Sequence, residues 1–139
     1  MTKIEMENAV FVELTELLND PMNGGAEFVS VPNLVSLAEH GNKWLDGMTG
    51  RDVRNACRRL KRKGLVEHGW DRYNPDQPSG EYGEVWSGEP FIPRHGYGIS
   101  NVGRETELYK TTKKRVLDEW DSYWCRAFRN DEEREESET

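Results

Sequence analysis

The chain has 139 residues, enough for one domain with one core but not for two. Apolar residues make up 35% and charged residues 32%, a balance that suits a small domain with a large surface share and a solvated end. No apolar run approaches the roughly 20 residues of a membrane span and the N-terminus lacks a signal-peptide pattern, so a cytoplasmic location is expected.

The periodicity predicts a helix over 4–19, where Met6, Val10, Leu14, Leu17 and Leu18 recur at helical spacing. Asp20-Pro21 and Asn23-Gly24-Gly25 break it, and 26–29 is suited to a small strand. Ser30 can cap a second helix to about Glu39, with Pro32 in its first turn and Leu34, Val35, Leu37 and Ala38 buried. Residues 41–48 form a loop with room for one helical turn around Trp44-Leu45. Thr49 caps a basic third helix, Asp52 gives a short capping box, and Gly64 is its C-terminal stop. Residues 65–70 are a strand candidate, 71–83 are loop-like in Asn, Pro, Asp and Gly, and 84–86 and 91–99 are further extended segments. Ser100 can cap a final helix over about 101–129, whose last turns place Val116, Trp120, Trp124 and Phe128 at i, i+4 spacing. Residues 131–139 read as a disordered acidic tail. The expected fold is mainly α with a small β-hairpin, an α+β domain over 1–130 with its core in 5–104.

Net charge is −7, but the charge is unevenly placed. The tail holds Asp131, Glu132, Glu133, Glu135, Glu136 and Glu138 against Arg134 alone, a net of −5. Residues 51–63 hold Arg51, Arg54, Arg58, Arg59, Lys61, Arg62 and Lys63 against Asp52 alone, a net of +6. An otherwise acidic chain thus keeps one concentrated basic surface, the footprint of an anionic partner.

On a helical wheel with Val53 at zero, Leu60 falls near ~−20°, Cys57 near ~40° and Ala56 near ~−60°. Arg54 falls near ~100°, Arg58 near ~140°, Arg51 near ~160°, Arg62 near ~180° and Asn55 near ~200°. One face is apolar and the other carries arginine. A merely solvated face mixes signs, because like charges at i, i+4 repel. Arg54, Arg58 and Arg62 instead form a ladder of one sign in a chain with acids to spare. Guanidinium groups can donate twice to guanine and an Asn amide can pair with adenine, which makes Arg51, Arg54, Asn55 and Arg58 the base-reading candidates. Arg59, Lys61, Arg62 and Lys63 are phosphate candidates, with Arg72, Arg94 and His95 beyond the helix.

The run Thr49-Gly50-Arg51-Asp52-Val53-Arg54-Asn55-Ala56-Cys57-Arg58-Arg59-Leu60-Lys61-Arg62-Lys63-Gly64-Leu65-Val66-Glu67 resembles the recognition helix and first wing strand of winged-helix regulators. Their pattern is a Ser/Thr cap, Val, a small residue, Leu, a basic pair, then Gly-Leu-Val/Ile. Tyr97-Gly98-Ile99-Ser100-Asn101-Val102-Gly103-Arg104 is similar to the aromatic-x-Leu-Thr-x-x-Gly-Arg segment of MarR- and PadR-like regulators. There the last wing strand enters a C-terminal helix. Leu37-Ala38 fits the leucine–alanine pair of the motif's first helix, so the resemblance covers about 30–104. It implies a winged helix-turn-helix with a long wing and a C-terminal helix. The connection 41–48 is longer than the usual tight turn, and 71–93 is long for a wing.

The expected function is sequence-specific binding of double-stranded DNA, as a repressor-like transcriptional regulator of a prokaryote, archaeon, virus or mobile element. The alternative is a winged-helix interaction module whose arginine face grips an acidic protein partner. Val116, Leu117, Trp120, Trp124 and Phe128 are candidates for a homodimer interface, since related regulators often pair through terminal helices. Cys57 and Cys125 read as reduced thiols, and His40, His68 and His95 are scattered. Gly96-x-Gly98 lacks the third glycine of a dinucleotide fingerprint. No metal, cofactor or enzyme activity is expected.

Overall fold

The computed structural model describes residues 1–21, 26–40, 44–71 and 94–138, the side chains of Asp71 and 125–138 apart. Helix α1 (Lys3–Asn19) opens at Thr2, whose hydroxyl accepts from the Glu5 N–H at 3.1 Å. That satisfies one of the N–H groups a helix start leaves open. Val10, Phe11 and Leu14 lie on its buried face, with Met6, Leu17 and Leu18 packed beside them. A short strand, β1 (Val29–Ser30), leads directly into α2 (Val31–Glu39), where the Ser30 hydroxyl accepts from Asn33 N–H at 3.3 Å. Helix α3 (Gly50–Arg62) carries the full capping box: Thr49 Oγ1 accepts from Asp52 N–H at 3.1 Å, and Asp52 accepts from Thr49 N–H at 3.0 Å. Gly64, at φ 76°, provides the left-handed turn that ends it.

The long connection between α2 and α3 is not an idle loop. Its turn residues 44–47 drive Leu45 to 0% exposure, and Met48 follows it into the core. Trp44 Nε1 donates to Glu16 at 2.7 Å, which fixes the turn to α1. The extra length over a tight turn therefore supplies two core side chains and an anchor.

Strands β2 (Val66–Asp71) and β3 (Arg94–Ile99) pair antiparallel, with Val66 opposite Ile99, His68 opposite Tyr97 and Trp70 opposite His95. β1 adds to the other edge of β3, Val29 opposite Tyr97. The expected two-stranded hairpin is thus a three-stranded sheet of order β1-β3-β2, and the architecture is mainly helical α+β. β1 sits at 29–30 and not 26–29; the expected extended segment 91–99 appears as β3 from Arg94, and its residues 91–93 lie outside the described residues. The extended segment expected at 84–86 lies outside the described residues. Gly69 leaves room for the Phe28 ring, since a Cβ there would stand 2.3 Å from Phe28 Cε1.

The final helix expected from about 101 to 129 is two helices, α4 (Asn101–Arg104) and α5 (Glu107–Glu138). Thr106 makes the break: its hydroxyl donates to Gly103 O at 2.7 Å and accepts from Tyr109 N–H at 3.2 Å, restarting the helix. The helical backbone then continues through 131–138, the segment expected to be disordered. Glu and Arg are strong helix formers, and a helix already running supplies the nucleus. Tyr109 and Thr112 bury the start of α5, which packs along α1.

The core joins α1, α2, α3 and the sheet: Val10, Phe11, Leu14, Leu34, Leu45, Val53, Cys57, Leu60, Val66 and Ile99 are all buried within it. Two chain corners meet at Leu65. Ser100 N–H donates to Leu65 O at 3.2 Å, Ser100 Oγ donates to Gly64 O, and a Cβ on Gly103 would stand 2.1 Å from Leu65 O. Gly103→Ala is expected to lower unfolding free energy by about 1–3 kcal/mol, because the obstacle is backbone and cannot swing aside. A urea melt with an unchanged midpoint would show that this contact is not closely packed.

Candidate nucleic-acid interface

Four residues of α3, Val53, Ala56, Cys57 and Leu60, are at most 2% exposed, so the apolar stripe of the wheel is the buried face. Burial pushes the Cys57 thiol up to about 12, which keeps it a protonated core side chain. Arg51, Arg54, Arg58, Lys61 and Arg62 are exposed and Asn55 is half-buried. Among the described residues no carboxylate pairs with any of these five cations. Asp52, in the first turn, is held below the usual carboxylate range by the Thr49 N–H and hydroxyl and is engaged in the cap.

Two residues expected to touch phosphate do something else. Arg59 Nε lies 3.4 Å and Lys63 Nζ 3.1 Å from a carboxylate oxygen of Glu7, which is 3% exposed on α1. Arg59 Nη2 also donates to Lys3 O at 3.5 Å. Arg59 falls on the wheel beside the buried stripe, and so it turns toward α1. Arg59 and Lys63 thus brace α3 against α1 and leave the ladder face to Arg51, Arg54, Arg58 and Arg62. Nothing in the spacing of α1 marks Glu7 as their partner; only a carboxylate on a mostly apolar face hints at it.

The remaining candidates divide. Arg72 lies outside the described residues. Arg94 and His95, at the start of β3, line an open cleft with Val31, Pro32, Val35 and Arg54. The cleft joins the first turn of α2, the ladder face of α3 and the edge of β3. His95 also meets His68 across the strands, with nitrogen pairs at 3.2 and 2.9 Å. Alternation along β2 and β3 puts His68, Trp70, His95 and Tyr97 on one face, which becomes visible only once the strand register is known. Among the described residues, no group of three or more metal-ligating side chains occurs, and no helix is long and apolar enough to cross a membrane.

On α5, Leu117, Tyr123 and Trp124 are exposed, with Trp120 and Trp124 edge to face at 5.6 Å. Val116 and Trp120 are half-buried and line a groove with Asp20 and Pro21 at the end of α1, so they are partly covered within the chain. Tyr123, absent from the sequence candidates, joins the exposed cluster, while the Phe128 side chain lies outside the described residues.

Glu7→Gln is expected to cost about 1–3 kcal/mol of stability by weakening the α1–α3 brace, much of it screened at the exposed Lys63. An unaltered denaturation midpoint would show the brace to be ornamental. No protein-family model, curated protein or solved structure matches this chain.

Proposed function

We propose that the chain binds double-stranded DNA sequence-specifically as a winged-helix transcriptional regulator, presenting α3 to the major groove. One observation carries this reading: Arg51, Arg54, Arg58 and Arg62 form an exposed ladder without carboxylate partners among the described residues, on a helix whose opposite face is core. The element order α1–β1–α2–α3–β2–β3, with a sheet ordered β1-β3-β2, supports the winged-helix assignment. Arg51, Arg54, Asn55 and Arg58, in the N-terminal half of α3, are the base readers, and Lys61, Arg62, Arg94 and His95 contact phosphate. The chemistry is recognition and not catalysis.

Selection from a pool of random duplexes, followed by sequencing, tests this. An enriched motif is expected, and Arg54→Ala or Arg58→Ala should weaken binding by about 1–3 kcal/mol and relax one position of the motif. Affinity should fall about a hundredfold or more between about 50 and about 200 mM salt. If no duplex is retained even at low salt, the reading is wrong and an acidic protein partner becomes the better assignment.

A homodimer through α5 fits the same reading, since paired modules suit two-fold sites. The exposed Leu117, Tyr123 and Trp124 support it. Sedimentation of wild type should give a dimer that Trp124→Ala dissociates; a wild-type monomer at all concentrations removes the proposal.

A further inference from the structure

His95 belongs to two constellations at once. It rims the cleft walled by Val31, Pro32 and Val35 alongside Arg54 and Arg94, and its ring contacts His68. The cleft, about 600 Å³ and open to solvent, is large enough for a sugar–phosphate unit. Its described polar rim combines Arg54 and Arg94 with His95, Ser36 and Glu39, the last from the end of α2. We propose that this cleft seats a backbone phosphate of bound DNA, and that the His68–His95 pair takes up a proton when it does.

The proposal rests on the DNA-binding reading and adds a linkage to it. The paired contacts, His68 Nε2 to His95 Nδ1 at 3.2 Å and His95 Nε2 to His68 Nδ1 at 2.9 Å, can both be hydrogen bonds only if each ring carries a single proton, on Nε2 in both or on Nδ1 in both. Both rings are then neutral. A proton added to the accepting nitrogen of either ring turns an acceptor into a donor and sets two N–H groups against each other. The surroundings oppose that proton as well. Lys61 from α3 faces His68, Arg58 from the same helix faces neighbouring Tyr97, and Arg54 and Arg94 flank His95 in the cleft. Trp70 from β2 and Tyr97 from β3 contribute neutral rings, at 5.4 Å from His95 and from His68 respectively. His68 is accordingly held below the usual imidazole value, first by burial, then by His95 and Lys61.

A phosphodiester reverses this balance. It carries its negative charge throughout the imidazole range, and in the cleft it faces Arg94 and His95, beside the base-reading Arg54. Opposite charge favours the protonated ring, so the pair holds its proton to higher pH in the complex than in the free protein. The sign follows from linkage. With proton affinity raised in the bound state, DNA affinity is highest below the free pair's titration, and the gain is lost as pH rises through the bound pair's.

Binding of a labelled duplex should be followed from about pH 8 to about pH 6 at constant ionic strength, where uptake of up to one proton predicts tightening of about five- to tenfold. His68→Gln, which does not line the cleft, should flatten that dependence while retaining binding at the upper pH; His95→Gln should flatten it and also weaken binding at every pH; and His40→Gln, outside the cleft, should leave it intact. Thermal melts of the variants confirm that they fold. The imidazole C–H resonances of His68 and His95 should show higher midpoints with duplex present. Binding that is independent of pH in wild type, or equally dependent in the histidine variants, overturns the linkage and leaves the DNA reading standing. Inorganic phosphate alone raising the midpoints as far as duplex does would assign the cleft to a free anion and also overturn it. Absence of duplex binding at every pH would sink both.

Discussion

Burial of one face of α3 is the constraint on which the rest of the molecule depends. Val53, Cys57 and Leu60 are each worth about 1.5–3 kcal/mol when fully removed from water, scaled down for the smaller thiol. The like-charge steps Arg54–Arg58 and Arg58–Arg62 cost only about 0.2–0.5 kcal/mol each. The core term wins by a wide margin, so the helix forms in spite of its charge ladder and cannot rotate to disperse it. The capping box at Thr49 and Asp52 starts the helix with its first turn satisfied. The arginines are held outward because the opposite face has nowhere else to go.

Where the acids sit matters as much as where the bases sit. Glu7 binds the two cations, Arg59 and Lys63, that lie toward α1, and the outward ones have no carboxylate partner among the described residues. Glu16 ties three elements together. It accepts from Trp44 Nε1 and pairs with Arg115, whose guanidinium lies 5.3 Å from the centre of the Trp44 ring and also meets Glu119 at 3.3 Å. The turn before α3 is thereby fastened to both α1 and α5, and the orientation of the basic helix is set from two sides. Both carboxylates hold the scaffold, which concentrates positive potential on one surface of an acidic chain.

The sheet completes that surface from the side. The register of β2 and β3 runs their shared face from buried Val66 and Ile99, past Tyr97, to the two histidines and Trp70. The same strand pairing that closes the core thus delivers His95 to the edge of the cleft and sets His68 against it. The bare Gly69 on the opposite face lets Phe28 cover the backbone there, so the sheet keeps an apolar cover where it has no side chain of its own.

Much of this was legible along the chain because it is local. The 3.6-residue period of α1 and α3, the caps at Ser30, Thr49 and Ser100, and the stop at Gly64 each depend on residues within one or two turns. The separation of Arg54, Arg58 and Arg62 from Val53, Cys57 and Leu60 follows from helical geometry alone, and the structure keeps it. What required tertiary structure was every pairing across distance. Glu7 withdrew Arg59 and Lys63 from the candidate surface, Leu45 and Met48 turned a long loop into core, and β1 made a third strand by joining β3. Strand register set His68 against His95. Thr106 restarted a helix whose apolar spacing alone reads as continuous, because a hydroxyl bonded across the break leaves no mark on periodicity. A helix's own geometry decides which residues share a face, while the partner across the core decides which of them remain free to act.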